Sequence, residues 1–222
     1  MHKIGVITIG ESPRTDLIPE IKRFFSSNIT FVERGVLDNL SNIELAEISP
    51  KNGQTTLISR KNNGTPVEMA KEKIIPMIQS IIDDLHHKVD LIILACTGVF
   101  PTFSSNIPII YPDHLLNYVS QGIFKVKENI GVIVPLPEQI NSIKAKWATA
   151  GFQAITATCS PYHFQEQAMI KAIVAFENAN VNTVVLDCIG YTQPMKELIQ
   201  KQSDKFIILS RNIIFKTVSE LF

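Results

Sequence analysis

The 222-residue chain has three cysteines, one tryptophan and no surplus of charge of either sign. Lys and Arg together number 21, as do Asp and Glu, so no overall field draws the chain to nucleic acid or to an anionic membrane. Short basic runs such as Arg60-Lys61 read as solvated faces. An odd number of widely spaced cysteines makes no disulfide framework, and no pair has the short spacing of a zinc site. Nowhere do apolar residues run unbroken for the ~18 positions that a membrane span needs. The apolar stretch from Lys3 to Ile9 is too short for a signal peptide. The loop after it, Gly10 to Asp16, has neither a second nor a third glycine of a dinucleotide fingerprint, and it is not a P-loop. These absences leave a cytoplasmic globular protein, without metal, whose partner is a small molecule.

What is present is a pair of similar stretches. Leu91-Ile92-Ile93-Leu94-Ala95-Cys96-Thr97-Gly98 is echoed by Val184-Val185-Leu186-Asp187-Cys188-Ile189-Gly190. Each apolar run is strand-length and unbroken, the pattern of a strand buried on both faces of a parallel sheet. Each ends in a cysteine followed closely by glycine, where backbone can approach a ligand. Ligands of open α/β sheets bind beyond the carboxyl ends of the strands, which is where both thiols fall.

Strands alternate with helices along the whole chain, which predicts a mainly parallel α/β architecture built twice. Residues 1–115 form the first expected lobe and 116–209 the second, with a closing helix over 210–222 that packs back on the first. The first strand covers Lys3 to Ile9, and Thr15 or Asp16 is the expected cap of a helix from Leu17 to Phe25. Ser41 with Glu44 has capping-box spacing. Asn62-Asn63-Gly64 between two extended segments predicts a hairpin, an insertion suited to covering a site or making a subunit contact, so a homodimer is among the expectations. Apolar spacing predicts a helix from Val67 to His87, kinked or divided at Pro76. A short strand is expected over Ile107 to Tyr111, with Asp113 capping the next helix.

Two thiols at matching strand ends suit inversion at a carbon. One, as thiolate, removes a proton; the other, as thiol, delivers one to the opposite face. Cys96 and Cys188 are the candidate pair. Thr97, Gly98, Ile189 and Gly190 supply turn N–H groups and a hydroxyl, and Thr192 offers a second hydroxyl in a place that looks equivalent to Thr97. Ser12 and Arg14 are candidate anchors for a carboxylate, although Arg14 could equally pair with Asp16. Asp187 should point away from Cys188 along the strand and reads as a structural carboxylate. Cys159 has no counterpart and reads as structural.

Lys3 to Asp16, Ala95-Cys96-Thr97-Gly98, Gly131 to Pro135 and Leu186-Asp187-Cys188-Ile189-Gly190 together resemble the AroM family, nearly end to end. That family is similar to the aspartate/glutamate/hydantoin racemase superfamily. The resemblance implies two flavodoxin-like lobes with a cleft between them, cofactor-independent chemistry and one cysteine per lobe. Ala95-Cys96-Thr97 matches the first racemase cysteine motif. Cys188 matches the second in part, since Ile189-Gly190 stands where racemases often carry Thr-His. The expected function is a cofactor-independent racemase, epimerase or isomerase acting on a small carboxylate. The rival expectation is a non-catalytic metabolite sensor that keeps the same cleft.

Overall fold

The computed structural model describes residues 2–125 and 127–222. The chain divides into two compact units. The first runs to Pro112 and takes in Phe215–Phe222, and the second is Asp113–Ile214.

In the first unit, β1 (His2–Thr8), β2 (Ile29–Gly35), β5 (Leu91–Leu94) and β6 (Ile109–Ile110) form a sheet ordered β2-β1-β5-β6. All its pairings are parallel. Helices α1 (Ile18–Lys22), α2 (Asn42–Ile48) and α3 (Lys71–Leu85) connect the strands, with the hairpin β3 (Thr56–Arg60) and β4 (Pro66–Ala70) inserted before α3. The buried strand residues Ile7, Ile92 and Leu94, with Ile9 just past the end of β1, pack with Ile74, Ile78, Ile82 and Leu85 of α3 in one apolar cluster.

In the second unit, α4 (Pro112–Ile123) leads into β7 (Asn129–Val134), and a 3₁₀ turn at Pro137–Gln139 leads into α5 (Ile140–Thr149). Then come β8 (Gln153–Thr158), α6 (Glu166–Asn178), β9 (Thr183–Leu186), α7 (Gln193–Gln202), β10 (Phe206–Leu209) and the start of α8 (Ser210–Ser219), whose residues from Phe215 on count with the first unit. The sheet order is β10-β9-β7-β8, again all parallel. Read from the other edge it repeats the first unit strand for strand. Side chains alternate across this sheet. Ile133, Val184, Leu186, Ile207 and Leu209 enter one cluster, while Val132, Val134, Val185 and Ile208 enter the other with Trp147. Both faces are therefore covered, which is why these strands read as unbroken apolar runs.

Several local expectations hold. Ser41 caps α2 with a complete capping box to Glu44, and the Asn62-Asn63-Gly64 turn closes the hairpin with Gly64 at φ +89°. Others need correction. The segment Pro66–Ala70 is the second hairpin strand, paired from Thr56↔Ala70 to Arg60↔Pro66, so α3 begins only at Lys71. Met69 fits either periodicity, and the strand partner decides. Pro76 lies inside α3 without dividing it. Neither Thr15 nor Asp16 caps α1: Leu17 occupies that position with no side-chain hydrogen bond, because Asp16 is engaged by Arg14. The strand expected over Ile107 to Tyr111 shortens to Ile109–Ile110, and Asp113 lies within the first turn of α4 rather than before it. Among the described residues no helix is long and apolar enough to cross a membrane.

Candidate active site

The two cysteines occupy equivalent places in the two sheets. β5 and β9 each lie beside the central strand of their unit, with Leu94 opposite Ile7 and Leu186 opposite Ile133. Pairing then ends, and the next backbone N–H in each case still bonds the central strand: Ala95 to the Ile7 carbonyl at 2.7 Å, Asp187 to the Ile133 carbonyl at 3.0 Å. Each cysteine follows one residue later, in the turn rather than on the strand. There the turns fold back on the thiols. The Gly98 N–H donates to Cys96 Sγ at 3.4 Å, and the Gly190 N–H to Cys188 Sγ at 3.3 Å. Both cysteines are half-buried, so solvent reaches them. The same register equates Thr97 with Ile189, not with Thr192. Thr97 is buried, and the Ile189 side chain is too, which leaves its backbone to the turn. Thr192 sits at the start of α7, where its carbonyl accepts from Lys196 N at 3.2 Å.

The loop after β1 is built around groups that consume one another. Asp38 accepts from the Ser12 N–H and hydroxyl, each at 2.6 Å, and from the Gly35 N–H at 2.8 Å. Arg14 is 3 % exposed. Its Nε and Nη2 fork onto the Asp16 carboxylate at 2.8 Å each, and Nη1 donates to the Thr8 hydroxyl at 2.9 Å. Of the two roles weighed for Arg14, the ion pair is the one present, though buried rather than at the surface. Its bidentate face is already occupied, and Ser12 donates its hydroxyl to Asp38 in the turn after β2. The hairpin braces this loop from outside, with Asn62 donating through its N–H to Glu11 at 2.7 Å and through Nδ2 to the Ser12 carbonyl at 2.8 Å. Asp38, which reaches this loop from the turn after β2 and has no local pattern, is the residue that sequence reading missed.

Burial pushes the Asp16 carboxyl up, but the hydrogen bonds and charge of Arg14, with the charge of Arg60, outweigh it and hold the group below its usual range. A carboxyl lowered on folding contributes stability that is full above its unfolded pKa of about 4 and is lost as pH falls through the folded value. Asp16→Asn should therefore lower Tm at pH 7, and the gap from wild type should close in acid below about pH 3. Paired melting curves at pH 7 and at about pH 2.5 check this.

In the second unit the turn is held from several sides. Asp187 is fully buried against Lys146 Nζ, 2.8 and 2.7 Å from its two oxygens, and Trp147 Nε1 donates to it at 2.8 Å. It faces away from the thiol, as a structural carboxylate. Arg211, fully buried, donates through Nε to the Ile189 carbonyl at 2.9 Å and through Nη2 to that of Gly190 at 3.3 Å. The Tyr162 hydroxyl lies 3.5 Å from Cys188 Sγ. Neither Arg211 nor Tyr162 carries a sequence signal tying it to this turn. Cys159 is buried, and burial pushes its thiol up, in keeping with a structural role. A cavity of about 300 Å³ lies beside it, lined by Pro135, Thr158, Ser160 and His163.

Gly190 is where the turn tolerates no side chain. A Cβ there would stand 2.8 Å from the Tyr162 ring and hydroxyl and 2.9 Å from Pro161. Gly190→Ala should displace Tyr162 and cost about 1–3 kcal/mol of stability by overpacking, readable as a fall in urea midpoint.

A family model described as "AroM protein" matches residues 4–222. No curated protein matches the chain. Among solved structures, glutamate racemase from Francisella tularensis in complex with D-glutamate is 17% identical, with a TM-score of 0.62 over 99% of this chain and 80% of that one. Maleate isomerase from Pseudomonas putida is 11% identical, with a TM-score of 0.63 over 99% and 92%. Allantoin racemase from Pseudomonas fluorescens is 11% identical, with a TM-score of 0.59 over 99% and 89%. At these identities the likeness is one of fold.

Proposed function

The chain belongs to the AroM family, and from that premise we propose that it is a cofactor-independent racemase, epimerase or isomerase of small carboxylates, with Cys96 and Cys188 as its acid/base pair. The observation that carries this reading is the matched placement of the thiols. Each lies two residues beyond the paired strand, half-buried, with a turn N–H on its sulfur.

The chemistry follows from that placement. A thiolate takes the hydrogen of the carbon next to the carboxylate as a proton. The S–H bond forms, the C–H bond breaks, and the electron pair stays on carbon, delocalised into the carboxylate. The other thiol then gives its proton to the opposite face, its S–H breaking as the new C–H forms. The two sulfurs exchange protonation states, and the reverse reaction starts from that state. A turn N–H aimed at sulfur favours the thiolate when the proton is elsewhere. The folds that this chain resembles support the substrate class: one of those structures is a glutamate racemase holding D-glutamate and another a maleate isomerase.

The test is a screen of small 2-amino, 2-hydroxy and unsaturated dicarboxylic acids, followed by NMR in deuterated buffer alongside thermal-shift measurements. Loss of an α-proton or olefinic signal with wild-type protein is the expected result. A carboxylate that raises Tm yet shows neither exchange nor isomerisation would identify a binding protein instead.

A further inference from the structure

We infer that Tyr162 and Arg211 are positioning residues that hold Cys188 as the proton-accepting thiolate of the pair. This rests on the acid/base reading of Cys188. The key is one peptide unit. Its carbonyl, that of Ile189, accepts from Arg211 Nε at 2.9 Å, and its N–H, that of Gly190, points at Cys188 Sγ at 3.3 Å. The guanidinium thus sits at the negative end of a peptide dipole whose positive end meets the sulfur. A buried cation bonded to the carbonyl polarises the N–H and fixes its plane, and both effects favour negative charge on the thiol. The second Arg211 bond, to the Gly190 carbonyl at 3.3 Å, fixes the next peptide as well, which is the two-point grip that a planar fork provides and an ammonium does not.

Tyr162 approaches the same sulfur from the loop after β8, with its hydroxyl at 3.5 Å. Toward a thiolate that hydroxyl can only donate. The missing side chain at Gly190 is what lets the phenol come so close. The other ionisable groups around the turn do not oppose this arrangement. Asp187 is neutralised by Lys146 on its far side. The Tyr191 phenol is raised well above its ordinary value by burial, with Cys188, Cys159, Asp187 and Tyr162 adding to it. It stays neutral and donates to the Cys159 carbonyl at 2.7 Å. Cys159, its thiol raised by burial, remains protonated at neutral pH.

The experiment measures iodoacetamide alkylation of Cys188 from about pH 5.5 to 10.5 in the full chain, a range that brackets the ordinary thiol pKa. Peptide mass spectrometry separates its peptide from those of Cys96 and Cys159. Tyr162→Phe should slow alkylation about tenfold near pH 6.5, where the thiolate fraction limits the rate, and match wild type above about pH 10. Arg211→Lys should do the same, because it keeps the charge but loses the fork. A profile for Tyr162→Phe that superimposes on wild type at every pH, or lies below it by a constant factor as an access effect would, overturns the inference. Should Arg211→Lys fail to fold, the Tyr162→Phe result decides alone. The outcome is separate from the proposed function. A shifted alkylation profile with no carboxylate turned over leaves the thiolate device standing and removes the acid/base reading. Turnover with an unshifted profile does the reverse.

Discussion

Asp187→Ala is expected to destabilise the second unit by about 3–5 kcal/mol. The substitution leaves Lys146 Nζ, whose side chain is 1 % exposed, charged and without its carboxylate in a packed interior. It also removes the acceptor of Trp147 Nε1, which would then be a buried donor lacking that bond. The cost comes from stranding the partners more than from losing an attraction, since burying the pair already carried a large desolvation penalty. Combining Asp187→Ala with Lys146→Met removes both charges, so most of the lost stability should return. A residual cost of about 1–3 kcal/mol should remain from the indole N–H. Denaturant titration of the two single variants and the double variant closes the cycle. Two single losses that simply add in the double variant would mean that the ion pair is not the unit of stability.

Cys96→Ser and Cys188→Ser should each reduce inversion of a responsive substrate by about 10²–10⁴-fold, the usual worth of one positioned acid or base. Serine is close to isosteric, but its hydroxyl does not ionise in the working range, so the loss falls on proton transfer. Tm should barely move, because both thiols are half-buried and neither anchors the core. The contrast with Asp187 is informative. Replacing one residue beside the turn should cost folding, and replacing its neighbour should cost chemistry. A Cys188→Ser protein that is strongly destabilised would place that thiol among the structural groups.

Much of the fold was readable because its signals are local. Leu91–Leu94 and Thr183–Leu186 are apolar almost throughout since both sheet faces are covered, and the turn residues that follow each run limit it to strand length. The Ser41 and Glu44 pair and the Asn62-Asn63-Gly64 turn declare themselves within a few residues. Where the reading failed, the deciding partner was remote or already engaged. Pro66–Ala70 is a strand because Thr56–Arg60 lies beside it, and Asp16 does not cap α1 because Arg14 claims it. The thiols were legible as a pair, since strand, cysteine and glycine recur together. Their supporting groups were not. Asp38, Lys146, Tyr162 and Arg211 act through contacts across long sequence separations, and a lone polar residue in a helix or loop leaves no periodic trace. Arg211 in particular reads as an ordinary charged residue near the start of α8, although it is fully buried in the fold.

The most direct measurement follows deuterium into each enantiomer of a responsive substrate separately, comparing wild type with the two serine variants. With one sulfur working each face of the carbon, wild type returns inverted product labelled at the α-position. Each variant keeps only the base for one face, so one exchanges the label into a single enantiomer without inverting it, and the other does so with the mirror-image substrate. Inversion that persists in either variant, or exchange of the same enantiomer by both, would contradict that division of labour between Cys96 and Cys188.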